Sequence, residues 1–366
     1  MKQANGNNHL IFLILCLTFF SRDFAGAEKA PLLKNAYCGL EPGARASAMG
    51  GAFIAVGGDA SCFFWNPAGL GLLPQSITVF DFNDTKHIGV EDVEIADLMG
   101  TATGLSGKRL SSVAFAEKQG ALSWRPLSSI SEHNIYEQSL TDGDTIERWT
   151  DIEYSINEFG LSMTTLISAS EQEIQGMPCI LGMSIKYINS RIGVAEKSKR
   201  NDIWEEPKVN LDTGNGYSID IGFLYSKRWF SLGFSAQNVL ANLYWHDYSR
   251  DRINANLRGG IAFMPFNSFI LASDVEKRWD DTPYIYHIGA EKRFRREKKQ
   301  SIKHWAFSMR LGAYGTDLLD EEKTIYTGGL GYSYSNYIVN TAVSGRYEGK
   351  DSNLSFRLTI SIPFEQ

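Results

Sequence analysis

The sequence predicts an all-β protein: a transmembrane antiparallel β-barrel of about fourteen strands. Three observations predict it. Apolar and polar residues alternate with period two over segments mostly ten to fifteen residues long, where soluble sheets typically use about five or six and a tilted bilayer-crossing strand needs about 9 to 11. Charges occur mid-strand on one face (Lys186, Asp220, Arg258, Arg310, Arg346, Arg357), and the residues beside them on the opposite face carry none. Aromatics gather at strand ends, Tyr225 with Trp229, Tyr244 with Trp245, Tyr284 with Tyr286, and Phe364, where the interfacial girdles of a barrel lie. A soluble sandwich also alternates, but strand length and the one-sided charges favour the barrel.

Two segments precede the strands. Lys2, an apolar run from Leu10 to Phe20 broken only by Thr18, and Ala25-Gly26-Ala27 have the order of a secretory signal peptide, expected over 1–27. The run is shorter than the roughly 20 apolar residues of a membrane anchor. Leu15 before Cys16 does not suit a lipidation site, which wants a small residue there. Residues 28–75 follow. From Gly43 to Ser61 almost every side chain is small, and then Phe63, Phe64, Trp65 and Asn66-Pro67 arrive together. Such a run has little surface of its own to bury, so it is stable only if something encloses it closely.

The barrel is expected over 76–366, with strands near 76–84, 111–117, 120–137, 147–168, 178–194, 213–226, 229–242, 251–264, 267–278, 283–294, 302–315, 322–334, 337–349 and 352–364. Asn353 to Phe364 is the clearest, with Leu354, Phe356, Leu358, Ile360, Ile362 and Phe364 on one face and Asn353, Ser355, Arg357, Thr359 and Ser361 on the other. Tight connections (117–120, 226–228, 264–267, 335–336) alternate with mostly longer ones (85–110, 138–146, 195–212, 241–250). Outer-membrane barrels show this asymmetry, with the short turns periplasmic, and an even strand count then puts both termini on that side. The turns at 169–177 and 295–301 and the short loops at 279–282 and 350–351 fit it less well. Residues 92–100 read as a short helix in the first long loop, and 195–212 as a solvated charged loop.

The chain has 366 residues, is 43% hydrophobic and carries a net charge of −6, which argues against a nucleic-acid partner. No catalytic constellation or cofactor motif stands out, so no enzyme activity and no cofactor are expected. Gly69-Leu70-Gly71 lacks a βαβ context. Asp142-Gly143-Asp144 reads as a polar hairpin tip before a cation loop. His246, His287 and His304 are scattered, and no Cys/His cluster suggests a metal. Asp274 and Glu276 share a strand face and read as lumen polarity. Cys38 and Cys62 could pair, since export permits disulfides, leaving Cys179 as a small apolar filler.

The stretch GARASAMGGAFIAVGGDASCFFWNPAGLG (43–71), after a signal peptide and before some fourteen strands, resembles the N-terminal motif of the FadL-like outer-membrane proteins, and within them the PorV/PorQ-type branch. Phe234-Ser235-Ala236-Gln237-Asn238-Val239 is similar to that branch's mid-barrel motif. The resemblance implies that 28–75 folds inward as a hatch, or plug, inside the lumen. The hatch would be gated through Arg45, Gly50, Gly51, Asp59, Trp65, Asn66, Pro67, Ala68 and Gly69, with Arg45 and Asp59 pairing with lumen charges. For Asn66-Pro67 a rigid turn without ligand contact stands as the alternative. The family implies uptake of hydrophobic small molecules such as long-chain fatty acids across the outer membrane of a diderm bacterium, with membrane lipid around the barrel. The PorV/PorQ-type alternative is a barrel that docks or shuttles envelope or secretion-system proteins without transporting a ligand.

Overall fold

The computed structural model describes residues 42–88, 109–141, 144–167, 179–266, 268–280, 282–296, 305–334, 337–346 and 352–364. The expected leader, Cys38, the helix at 92–100, most of the turns near 169–177 and 295–301, His304, and Asp142 with Gly143 lie outside the described residues.

Fourteen long strands form one closed antiparallel sheet. They are β1 (Ser76–Ile88), β2 (Arg109–Glu117), β3 (Gly120–Thr141), β4 (Asp144–Ile167), β5 (Cys179–Arg200), β6 (Lys208–Ser226), β7 (Phe230–Gln237), β8 (Asn256–Phe266), β9 (Phe269–Arg278), β10 (Ile285–Arg296), β11 (Trp305–Gly315), β12 (Thr324–Tyr334), β13 (Tyr337–Arg346) and β14 (Ser352–Phe364). Each pairs with its sequence neighbours, and β1 closes on β14 from Ser76↔Phe364 to Ile88↔Ser352. Closure leaves no unpaired edge, the condition for strands to cross a bilayer. The period-two pattern becomes two faces. On β5 the even residues from Ile180 to Val194 are buried, while Leu181, Met183, Ile185 and Tyr187 are exposed. Lys186, Asp220, Arg258, Arg310 and Arg357 all lie buried on the lumen side.

Three sequence expectations need correcting. The segments 138–146 and 195–212 are largely strand, because β3 to β6 run on past the other strands as paired hairpins. Asn201 and Asp202, at φ 46 and 69, turn Arg200 into Ile203 in the manner of a primed two-residue hairpin. Arg200 bridges Asp144 and Glu205, so these charges pair across strands instead of marking a coil. The expected strand 229–242 stops at Gln237. Asn238 takes φ 56, its N–H donates to Asp220 Oδ1 at 2.9 Å, and pairing with β6 resumes only at Asn242–Trp245. Finally, Trp245 is not in a girdle. It is 7% exposed, packed with Leu127, Ile152, Ile156, Ile188, Ile192 and Leu243 inside the projecting hairpins, and its Nε1 donates to Asp251 Oδ2.

The lumen is occupied by residues 42–75. They form two short helices, α1 (Ala44–Ala48) and α2 (Cys62–Trp65), and a 3-10 turn, Pro67–Leu72. Met49, Phe53, Ile54, Phe63 and Leu70 are fully buried. Their apolar surface packs on small or β-branched wall residues, Ile77, Val79, Ala114, Ala116, Ala121, Ala262 and Ala272. Elsewhere the wall presents glycine. A Cβ at Gly182, Gly222, Gly233, Gly289 or Gly312 would collide with Ala68, Asn66, Ile54, Met49 or Gly50 respectively. The strand backbone and the enclosed backbone therefore lie in direct contact.

Adding bulk at such a point should unseat the segment. Gly222→Val is expected to cost at least about 1–3 kcal/mol through overpacking, read as a lower temperature for loss of the folded gel band and as new proteolysis within 42–75. Gly259→Ala, whose methyl would meet nothing within 4 Å, should leave both unchanged.

Candidate functional site

The backbone of 42–75 is irregular, so its amides and carbonyls cannot all pair within it and must find partners on the wall. Asp274 on β9 supplies one partner, its Oδ2 accepting from Phe53 N (2.6 Å) and Ile54 N (2.9 Å). Thr359 Oγ1 accepts from Ala44 N (2.7 Å). The Ser231 and Thr327 hydroxyls donate to Ala55 O and Ala48 O, and Gln237 Nε2 donates to Phe64 O.

Arg45 provides the strongest anchor. Its Nε and Nη2 donate to both oxygens of Glu291 on β10, at 2.7 and 3.1 Å. Arg310 on β11 donates to the same carboxylate at 2.6 Å and to Asn340 Oδ1 at 3.0 Å. Bidentate, charge-assisted pairing is strong and geometrically selective. Asp59 faces Arg45 at 3.7 Å and accepts from Ser61 N and Oγ, so it braces the enclosed segment. Three guanidiniums lie over three rings of the segment: Arg45 over Phe53 at 5.5 Å, Arg125 over Phe64 at 5.0 Å and Arg258 over Trp65 at 4.9 Å. Each is a cation–π contact in a desolvated setting, where such contacts are strongest.

Asn66 uses its whole amide. Nδ2 donates to Ile54 O (2.8 Å) and Phe223 O (3.0 Å), and Oδ1 accepts from Ala68 N (3.1 Å), with Pro67 opening the 3-10 turn. Asn66-Pro67 thus forms a turn stapled to β6. Gly50 and Gly51 take φ 66 and 75, a left-handed conformation that glycine adopts without strain. A Cβ at Gly69 would collide with Cys62 Sγ. Cys62 is buried, its thiol facing Val56 O at 3.6 Å, and burial pushes that thiol up to about 12; its expected partner Cys38 is outside the described residues. Trp65 Nε1 donates to Pro42 O at 2.8 Å.

Away from the anchors the lumen charges also cluster. Lys186 contacts Asp220 (2.5 Å) and Glu158 (3.5 Å), and Glu158 holds Arg125 at 2.8 Å. Glu276 gathers Arg258 (2.8 Å), His287 Nε2 (3.2 Å) and Asn256 (3.0 Å), while His287 Nδ1 meets Gly50 O at 2.8 Å. Asp274 and Glu276, read as general lumen polarity, thus have separate tasks. Asp274 caps enclosed amides, and Glu276 organises a cationic group. Glu291, Arg125 and the wall glycines carry no signal in the alternation pattern and become visible only once the enclosed segment is placed. Among the described residues no group of three or more His, Cys, Asp or Glu is placed to hold a metal ion.

Among the described residues the wall is weakest between β2 and β3, where pairing runs from Glu117↔Gly120 to Val113↔Trp124, although β2 reaches Arg109 and β3 runs to Thr141. Past Trp124, β3 carries Pro126, which has no amide donor, and its register against β4 shifts there. Arg125 and the Phe64 ring lie directly behind this seam.

No protein-family model matches the chain, and no curated protein matches it in sequence. Solved structures do match. The toluene transporter TbuX of Ralstonia pickettii aligns over 90% of this chain and 100% of its own, with TM-score 0.53 and 14% identity. The monoaromatic hydrocarbon channel CymD aligns over 91% and 100%, with TM-score 0.52 and 12% identity. The Pseudomonas putida toluene transporter TodX aligns over 90% and 99%, with TM-score 0.52 and 13% identity. At these identities the likeness is one of fold: the chain is a transmembrane barrel built on the same plan as these transporters and channels.

Proposed function

We propose that the chain is a FadL-like outer-membrane channel for hydrophobic small molecules, with residues 28–75 acting as its hatch and the short-turn end, carrying both termini, facing the periplasm. The observation that carries this reading is the short β2–β3 seam. A lipophilic ligand that reaches the lumen can leave sideways into the bilayer only where the wall is incompletely paired, and that seam adjoins the hatch aromatics. The three structural neighbours are described as toluene or monoaromatic hydrocarbon transporters and channels, which supports an apolar cargo. Fatty acids are the cargo the sequence resemblance implies. Because the hatch is buried at Met49, Phe53, Phe63 and Leu70, passage requires it to move. The Arg45–Glu291 pair is the contact that must give way, and Gly50 and Gly51 lie beside it in the chain.

One observation favours the docking alternative. Tyr136, Trp149 and Trp204 pack at tilted angles, with ring centroids 5.3 and 5.0 Å apart, on the projecting hairpins, with Tyr136 and Trp204 about half exposed, a surface suited to a protein partner.

Proteoliposomes with the full chain are expected to take up labelled toluene or oleate faster than empty vesicles. If neither enters faster while envelope proteins co-purify stoichiometrically, the docking reading replaces the channel. Arg45→Ala should lower stability by about 2 kcal/mol, the usual worth of a charged hydrogen bond, and raise bilayer conductance; unchanged conductance would count against Arg45 as the latch. Pro126→Val restores a backbone donor at the seam and should slow uptake without weakening ligand binding.

A further inference from the structure

The rim of the barrel at its short-turn end is unevenly charged. Between β6 and β11 it carries Lys227, Arg228, Lys292, Arg293, Arg295 and Arg296, and residues 226–230, 264–269 and 292–296 contain no Asp or Glu. By sequence the adjoining turns, 168–178 and 297–304, hold Glu171, Glu173 and Glu297 against Lys298, Lys299 and Lys303, so they leave the excess standing. Arg293 turns to the lumen, 3.6 Å from Glu291. Lys227 and Lys292 turn the other way.

Lys227 opens the β6–β7 turn, its N–H donating to Phe230 O at 2.7 Å. Its ammonium lies over two rings, Tyr225 at 5.7 Å and Phe230 at 5.6 Å, each a cation–π contact. Both rings stand on the outward side of their strands, Tyr225 in line with exposed Ile221 and Phe230 in line with exposed Leu232 and Phe234. The cation is therefore held on the outer surface of the wall. Lys292 repeats the arrangement on β10. It shares a face with exposed Ile288 and Phe294, its ammonium lies 6.0 Å from the Phe294 ring centroid, and it donates to Ser268 Oγ at 3.1 Å. Arg228 follows Lys227 and is exposed. Among the described residues none of these three cations meets a carboxylate.

The surrounding rings give the level of these cations in the membrane. Trp229 is 56% exposed and packs on Phe230 (4.5 Å) and Phe263 (5.9 Å), and Phe266 is exposed beside them. Exposed aromatics at strand ends sit at the headgroup level. There the anions within reach are lipid phosphates, and a long cationic side chain covers apolar surface while presenting its charge to them. The opposite end shows an interface lysine that is already occupied. Lys277 also lies over a ring, Tyr284 at 5.5 Å, but its ammonium donates to Asp280 O and Thr282 O.

We infer that the short-turn rim from β6 to β10 binds anionic phospholipid selectively, Lys227 with Arg228, and Lys292 with Ser268, each meeting a headgroup phosphate. The inference rests on the membrane-spanning fold and holds whether or not the channel transports.

Native mass spectrometry of the detergent-solubilised full chain tests this with phosphatidylglycerol and phosphatidylcholine of the same acyl chains. Phosphatidylglycerol is expected to bind at least about fivefold more tightly, the worth of one basic residue at an anionic membrane surface. The combined variant Lys227→Gln, Arg228→Gln, Lys292→Gln should bring the two affinities within about twofold of each other, whereas Lys277→Gln should leave the preference unchanged. Heat-modifiable gel mobility reports that each variant is folded. Arg228 is exposed, so Arg228→Gln alone keeps the test open should the combined variant not fold, and it should at least halve the preference. Equal affinity for the two lipids, or an undiminished preference in either folded variant, overturns the inference. So does displacement of phosphatidylglycerol by equimolar glycerol phosphate or polyaspartate, which would make the rim a site for a free phosphate or an acidic protein.

Discussion

The structure depends on satisfying an irregular backbone inside a closed wall. A strand meets its hydrogen-bonding needs through its neighbours, but residues 42–75 have none, and water is largely excluded around Met49, Phe53 and Ile54. Two devices solve this. Polar wall side chains, Asp274 foremost, take the orphaned amides. Wall glycines let the enclosed chain come within backbone contact at Gly182, Gly222, Gly233, Gly289 and Gly312. The composition of the segment and that of the wall are therefore two halves of one steric condition.

Electrostatics adds selectivity of placement. Apolar packing on alanines is tolerant of sliding, because small side chains offer few interlocking shapes. The Arg45–Glu291–Arg310 cluster is not, since a forked guanidinium meets a carboxylate in few geometries. Buried ion pairs add little net stability against apolar replacements, and their contribution here is better understood as fixing one seat among many. The same cluster is a discrete contact, made or broken, and so suits a two-position element better than a continuous apolar interface does.

Much of this was legible in the sequence because lipid and lumen impose opposite demands on alternate residues. Leu181, Met183 and Ile185 against Ser184 and Lys186 can be read without a structure, as can the smallness of 43–61 and its need for an enclosure. The wall glycines were not legible. Glycine on the lumen face of β6 or β11 fits the alternation as well as serine would, and only the backbone opposite distinguishes them. Glu291 hid for a related reason: a lone acid on a strand face names no partner when that partner is 246 residues away. Trp245 was misplaced because the girdle rule assumes that aromatics at strand ends meet lipid. Above the bilayer the projecting hairpins reverse that logic, and their apolar residues turn inward to form a small core of their own.

The contacts of the first helix reach to the end of the chain. Ala44 is hydrogen-bonded to Thr359, 315 residues on, and β1, which follows directly, finds half its pairing on β14. Neither the first helix nor β1 can complete its contacts until the last strand exists. Contacts of such separation carry a large loop-closure cost before they return any energy, and they slow folding. The segment is thus a cargo of the assembling barrel before it can be anything else: it must be carried unpaired until the sheet closes around it, and the final closure of the sheet and the sealing of its interior become a single event.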